Sequence, residues 1–425
     1  MTESRAPRIL FCTDTYPPQV NGVSVVTALS VAGLRARGWK VAVVAPRYPK
    51  DSPNPFNDPQ PGAGLEDELT TIANVGFPPY PDIRVAAPNY PAVAAAMARF
   101  QPDVVHCETE FVIGRMGQIA ARRAGVPLTT SYHTDFSRYT ESYGLPWLRP
   151  AVSRYIGRFH GRAQRTYTPS APAREDVLRM GASEVEVWGR GVDGRIFSPK
   201  LRSPVLRDAY GFGNAFTFVH VGRLAAEKGV ETILAAYALA RRSLPDGAIH
   251  LVIAGVGPCE AELRARAPLG VTFLGYLDRR TLLPRLYASA DAFVFSSLTE
   301  TLGLVVLEAM ACGLPVIATP AGGVADHLRD GENGIAFPPD DTDAMARAMV
   351  RLALDRQLAA RLGKGARATA ESLSWEPELD RLDASYRQLL AQRRDARPAV
   401  REAQSHVVTA PLHLRDASST LASDR

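Results

Sequence analysis

The chain has little of what would make it a metal or disulfide protein. Its four cysteines, Cys12, Cys107, Cys259 and Cys312, lie far apart and show no CxxC spacing. That argues against both a zinc site and a disulfide framework. The eight histidines form no HExxH or similar cluster. A large excess of one charge is also missing: the formal net charge is only +5 over 425 residues, too mild to imply nucleic acid. No apolar run is long enough to cross a bilayer. MTESRAPRILFC lacks the basic-then-apolar order of a secretory signal, so the expected location is cytoplasmic. Neither a GxxxxGK phosphate loop nor a complete GxGxxG fingerprint occurs; AGVGPCE has Glu260 where the third glycine should stand. A tight strand-to-helix turn explains that stretch better than a nicotinamide site.

What is present is a repeated strand–helix order. RILFC (8–12) and KVAVVAP (40–46) read as buried strands flanking a helix at Val23–Arg37. DVVHC (103–107) and LTTSYH (128–133) flank a helix at Val112–Ala124. TYT (166–168) and VEVW (185–188) flank another at 173–180. Residues 46–82, rich in Pro, Asn and Gly, read as a long loop. The order restarts with strands at 216–222, 250–255, 271–275, 291–297 and 314–319, and helices follow at Asp341–Leu354, Arg356–Glu371 and Pro377–Arg394. Such alternation predicts two α/β domains, each a doubly wound parallel sheet covered on both faces. The expected division is 1–190, 191–374, a helix at 375–394, and a disordered tail at 395–425. Ligands of such sheets sit beyond the carboxyl ends of the strands, in a cleft.

The residues just after strands are therefore the informative ones. In VGRLAAEKG (221–229), Arg223 and Lys228 suit a diphosphate. They would serve equally as surface bases paired with Glu227 or Glu231. In TETLGLVVLEAMACGLPV (299–316), a helix is expected over Gly303–Cys312, capped by Thr299 or Thr301 and stopped by Gly313 and Pro315. Its N-terminus would favour an anion. Glu300 precedes that helix and Glu308 lies on it. A buried carboxylate needs a partner: sugar hydroxyls would serve either one, an Arg or Lys would serve Glu308, and solvent would serve Glu300. In the first half, Asn21–Gly22 offers close backbone approach, and His133 and Asp135 follow a strand. A lone histidine is more often structural, but its place at a strand end favours function.

GRLAAEKG, ETLGLVVLEAMACGLPVIATPAGG and the Asn-Gly loop together resemble glycosyltransferase family 4, over roughly residues 8–390. The Glu-x7-Glu signature is the most specific part. SYHTDFSRY further resembles a branch with bacterial lipid mannosyltransferases and sulfoquinovosyl- or glucosyl-diacylglycerol synthases. The resemblance implies a GT-B fold, a retaining reaction and a nucleotide-sugar donor, with GDP-mannose favoured and UDP-sugars as the alternative. It implies that Arg223 and Lys228 bind the donor diphosphate, Glu300 the sugar and Glu308 the ribose. Gly303 and Leu304 would face sugar and phosphate, Tyr276 and Leu277 would border the base, Gly22 would line the donor site, and His133 would sit by the reacting sugar. GRGVD (189–193) matches the family's interdomain linker, although family members more often have Asn before the Gly-Val-Asp. The helix from Trp375 would return to the first domain.

The resemblance also implies metal independence and no cofactor; DDTD (340–343) reads as a helix cap. An epimerase, a phosphorylase, a non-catalytic binding protein and a nicotinamide oxidoreductase fit less well, since the transfer motifs are intact and no pyridoxal-lysine motif is found. The expected acceptor is a lipid or glycan. In RPAVSRYIGRFHGRAQR (149–165), Arg154, Arg158, Arg162 and Arg165 fall at helical spacing without an acid. This stripe predicts either a solvated basic face or contact with anionic lipid, which would make the protein peripheral on the membrane's inner face.

Overall fold

The computed structural model describes residues 5–19, 21–49, 66–77, 80–142, 144–189 and 191–407. Fifteen strands form among the described residues. In the first half they are β1 (Arg8–Cys12), β2 (Lys40–Pro46), β3 (Glu68–Ile72), β4 (Asn74–Phe77), β5 (Tyr80–Ala86), β6 (Val104–Cys107), β7 (Leu128–Ser131), β8 (Arg165–Thr168) and β9 (Val185–Val187). In the second half they are β10 (Phe216–Val221), β11 (Ile249–Ala254), β12 (Val271–Gly275), β13 (Ala292–Phe295), β14 (Val316–Ala318) and β15 (Gly334–Ala336). Two parallel sheets result, ordered β3-β2-β1-β6-β7-β8-β9 and β12-β11-β10-β13-β14-β15, while β4 and β5 form an antiparallel hairpin.

The strands are short, apolar and alternate between two cores. In the second sheet Phe216 and Phe218, Leu251 and Ile253, and Ala292 and Val294 face one core. Val219 and Val221, Val252 and Ala254, and Phe293 and Phe295 face the other. A period of two on a sheet with both faces buried leaves no polar side, which is why the strands read as continuous apolar runs. Helices Val230–Arg242 and Thr342–Leu354 cover one face, and Leu282–Ser289 and Leu304–Ala311 the other.

Three expectations are corrected. The stretch 46–82 is not all loop: β3 and β4 lie within it, β5 begins in it, and residues 50–65 fall outside the described residues. β3 is an edge strand reading ELTTI with only Ile72 buried, so its polar composition hid it. The last helix runs Trp375–Val407, past the expected end at Arg394. Its distal part is polar but rich in Ala, Arg, Glu and Gln, all good helix formers; residues 408–425 lie outside the described set. The third concerns the arginine stripe. The helix there ends at His160, and Arg165 lies buried in β8 with its Nε 2.9 Å from Glu186 Oε1. Gly161 closes the helix and the chain turns into the sheet, so the four arginines share no helical face; Arg154, Arg158 and Arg162 stay exposed.

The start of the final helix packs on the first half. Arg37 bonds Asp380 at 2.6 Å and Glu376 at 2.9 Å, Trp39 Nε1 donates to Asp383 at 2.6 Å, and Trp188 Nε1 donates to the Glu378 carbonyl at 2.7 Å.

Candidate functional site

In each sheet the strand order reverses once. β1 lies between β2 and β6, and β10 between β11 and β13. Loops leaving the two central strands at such a reversal diverge to opposite faces and open a crevice. In the second half those loops carry Arg223 and Lys228 after β10, and Glu300 after β13. The crevice brings them together: Lys228 Nζ pairs with Glu300 Oε1, and Arg223 pairs with Glu227, whose side chain is fully buried. Lys228 thus meets a residue 72 positions away in the sequence. Burial alone would push the Glu300 carboxyl up; the Lys228 ammonium, the Ser297 hydroxyl and Arg223 outweigh it and hold it below the ordinary carboxylate range.

The helix Leu304–Ala311 begins at Gly303, with φ 75° and no side-chain cap. Neither expected threonine caps it. Thr301 Oγ1 donates instead to the His133 carbonyl in the first half, and the Thr299 hydroxyl is buried with no hydrogen-bond partner among the described residues. The cause is the loop's anchoring. Gly323 N donates to the Glu300 carbonyl at 2.7 Å, and a Cβ on Gly322 would lie 2.1 Å from that same oxygen. The loop's backbone is thus clamped against the AGG turn, away from the positions a cap needs. Among the described residues no side chain caps the helix N-terminus that follows Glu300, and an uncapped helix N-terminus suits an anion.

Glu308 is 2% exposed and held by Arg279, at 2.9 Å from Nε and 2.5 Å from Nη2, with the Tyr287 hydroxyl at 3.4 Å. Of the two readings open in the sequence, the buried ion pair is what stands in the structure. Burial pushes this carboxyl up, against the pull of Arg279 and Tyr287. Tyr276 is 53% exposed beyond β12, and Leu277 is half-buried against the core. At Gly255 a Cβ would come 1.8 Å from the Gly222 carbonyl, so AGVGPCE is a turn packed on the β10 loop.

The first half is built differently. Asn21 caps the helix Gly22–Ala36 through Ser24 N at 2.9 Å, and above Gly22 a Cβ would meet nothing within 4 Å. Asp14, after β1, caps the helix Val112–Ala124 from outside it: Ile113 N at 2.9 Å, Gly114 N at 3.3 Å and the Thr109 hydroxyl at 2.6 Å. His133 Nε2 lies 2.5 Å from Glu108 Oε2, and Glu108 is buried. Burial pushes Glu108 up, but His106 and His133 hold it well below the carboxylate range. An ionised carboxylate can only accept, so this contact suits a proton on the imidazole side. Glu110 and His160 form a second buried pair at 3.1 Å. Reading strand ends would have found Glu108 and Glu110, since ETE directly follows β6. Nothing in the sequence signals that Arg279 belongs to Glu308.

A cavity of about 50 Å³ lies between the halves, bordered by Tyr132, Asp135 and Asp176 on one side and Thr299, Glu300 and Thr301 on the other. Thr301 on His133, and Ala171 N on Asp326 at 2.9 Å, tie the halves together beside it.

The chain matches the family model "Glycosyltransferase Family 4" over residues 20–194 and "Glycosyl transferases group 1" over 215–355. It is 33% identical to a GDP-mannose-dependent alpha-mannosyltransferase of Mycobacterium tuberculosis, over 89% of this chain and 96% of that one. It is also 33% identical to a sulfoquinovosyl transferase of Arabidopsis thaliana, over 70% of this chain and 59% of that one. Among solved structures it resembles a sucrose-phosphate synthase of Thermosynechococcus elongatus, with TM-score 0.72 and 21% identity, over 91% of this chain and all of that one.

Proposed function

The chain belongs to glycosyltransferase family 4 and has the GT-B fold, and from that premise we propose that it moves a hexose from a nucleotide-sugar to a lipid or glycan acceptor, with retention. The observation that carries the reading is the Lys228–Glu300 pair at the reversal of the second sheet, with Glu300 in the loop that leads into a helix whose N-terminus no side chain caps among the described residues. Arg223 and Lys228 receive the donor diphosphate and Glu300 the sugar hydroxyls. On donor arrival Lys228 exchanges a carboxylate for phosphate oxygens, and Glu300 exchanges an ammonium for hydroxyls. Gly303 and Leu304 present backbone to sugar and phosphate, Tyr276 and Leu277 border the base, and Gly22 approaches from the first half. Glu308 keeps Arg279 on Oε1, and its Oε2, which meets Tyr287 at 3.4 Å, is the oxygen that takes a ribose hydroxyl. His133, oriented by Glu108, sits by the reacting sugar.

In the transfer, the bond between the anomeric carbon and the phosphate oxygen breaks and the diphosphate leaves with the electron pair. The acceptor oxygen bonds to that carbon on the same face, and its proton passes to the departing phosphate oxygen. Charge on the leaving group is met by Arg223, Lys228 and the helix end, so no metal is required in this reading. Residues 1–190 would hold the acceptor and 191–374 the donor, with cleft closure excluding water.

GDP-mannose is the favoured donor because the mycobacterial relative bears that name over nearly its whole length. A UDP-sugar-dependent diacylglycerol glycosyltransferase is the second reading, supported by the Arabidopsis relative. No helix among the described residues is long and apolar enough to cross a membrane. A lipid acceptor would bring the chain to a bilayer's inner face as a peripheral protein, with Arg154, Arg158 and Arg162 available to anionic headgroups. Calorimetric binding and donor hydrolysis across GDP-mannose, UDP-glucose and UDP-galactose tests the assignment. Tightest binding of GDP-mannose is expected; binding of none of the three overturns the reading.

A further inference from the structure

The Lys228–Glu300 pair is not framed by the second half alone. The Glu300 loop and the turn Gly322–Asp326 form one block. Gly323 N donates to the Glu300 carbonyl at 2.7 Å, and a side chain at Gly322 or Gly323 would run into the backbone of Glu300 or Thr301. Gly322 also takes φ 53°, a conformation that favours glycine. The two ends of this block rest on the first half. At one end Thr301 Oγ1 donates to the His133 carbonyl; at the other Asp326 Oδ2 accepts the Ala171 N–H at 2.9 Å. His133 follows β7 and Ala171 follows β8, neighbouring strands of the first sheet. The helix Phe136–Ser142, which comes directly after His133, lies against Ala226–Lys228. Both segments that carry the pair are thus touched from the first half.

The Asp326 contact has a particular chemistry. Ala171 opens the helix Ala171–Arg179, and the first N–H groups of a helix have no partner inside it. Ser170 Oγ accepts from Ala173 N at 3.3 Å, and Pro172 has no N–H to satisfy. That leaves the Ala171 N–H, and a carboxylate of the other half takes it. The helix dipole favours a negative group at this end. The helix is therefore capped twice, by Ser170 from its own half and by Asp326 from the other. The second cap exists only while the halves are together. When they part, the Ala171 N–H loses this acceptor and the Glu300 block loses its footing on the first half.

We propose that Asp326 is a positioning residue. It caps a first-half helix from the second half, and with Thr301 it seats the Glu300 block so that Glu300 and His133 address the same donor sugar. The seating rests on the glycosyltransfer reading; the cap does not. Asp326 itself touches no donor and acts through Glu300.

Hydrogen exchange at residue resolution on the full chain tests the cap. Asp326→Ala should speed exchange at the Ala171 amide about fivefold, the worth of one capping contact. Gly323 should stay within about twofold of wild type, because its bond to Glu300 lies inside the block. Asp326→Asn keeps an oxygen acceptor and should fall between the two. An unchanged Ala171 amide overturns the proposal. So does equal acceleration at Gly323, which would mean that Asp326 only holds its own turn. Donor cleavage tests the seating, with GDP-mannose and UDP-glucose as donors and octyl α-D-mannoside or water as acceptor. Ala171→Pro removes the same N–H at a position where proline suits a helix start. Asp326→Ala and Ala171→Pro should each slow cleavage about fivefold, while the calorimetric Kd of the donor stays within about twofold. The double variant should be no slower than the slower single one, since both break one contact. Unchanged or faster cleavage, full additivity, or a loss confined to donor Kd overturns the positioning role. Failure of the wild type to bind either donor strikes the glycosyltransfer reading instead, and the exchange result then decides the cap by itself.

Discussion

At the reversal of the second sheet, carboxylates are met by permanent cations: Glu300 by Lys228, Glu227 by Arg223 and, nearby, Glu308 by Arg279. At the reversal of the first sheet the partners are imidazoles or backbone: Glu108 with His133, Glu110 with His160, Asp14 with the N–H groups of Ile113 and Gly114. The architecture is the same and the chemistry differs. Fixed cations can be lent to a diphosphate and recovered. Imidazoles carry charge only conditionally, and backbone N–H groups carry none.

The sharpest way to break that contrast is to remove a lent charge. Lys228→Ala and Glu300→Ala should each lower transfer by about 100- to 1000-fold, the range for one preorganised electrostatic group. Both should keep the wild-type circular dichroism. Near wild-type turnover in either would remove the second half's claim to the donor.

Arg279 measures how far the second half depends on such pairing for its fold. Arg279→Ala leaves Glu308 buried without its cation and should lower unfolding free energy by about 3–5 kcal/mol. Adding Glu308→Leu should recover most of that loss in denaturant titrations, because an apolar pair can replace a buried ion pair. A single variant as stable as wild type would contradict the pairing.

Acid separates the halves again. His220, in β10, is buried with Nδ1 3.1 Å from the Val294 carbonyl and no carboxylate bonded to it among the described residues. Burial, with Lys228 nearby, pushes it down to about 4 from its usual 6.5. Above pH 6.5 it is neutral folded and unfolded. As pH falls from 6.5 toward 4 the unfolded chain takes the proton first, so up to about 3 kcal/mol of stability is lost in that window. His220→Gln should show a shallower fall than wild type between pH 7.5 and 4.5; an identical fall would assign the acid sensitivity elsewhere.

The smallest effect belongs to Asp14, whose side chain accepts three hydrogen bonds, two from the start of a helix and one from Thr109 before it. Asp14→Asn should cost about 1 kcal/mol in thermal melts and Asp14→Ala about 2 kcal/mol, as for loss of a helix cap. Equal losses would show that charge, not hydrogen bonding, holds that helix end.

Much of this was legible in the chain. Period-two strands buried on both faces read as apolar runs, helices such as Val112–Ala124 carry their own stop signals, and Arg223, Lys228 and Glu300 were marked by standing just after strands. What stayed hidden depended on distance in sequence. Thr299 and Thr301 have the composition of a cap, but the glycine turn at 321–323 fixes their backbone elsewhere. Arg165 continues a helical spacing, but Gly161 ends the helix and the next residues join a sheet. Polar β3 gave no apolar signal because it is an edge.

The sequence by itself determined the two doubly wound sheets and the residue types at their reversals, because periodicity and strand-end position are local properties. Only the tertiary structure decided which charge meets which: Lys228 with Glu300, Arg279 with Glu308, and Glu108 with His133. Those pairings arise where strands far apart in the chain lie side by side, and the cost of burying a charge is settled by whatever neighbour the fold brings within reach.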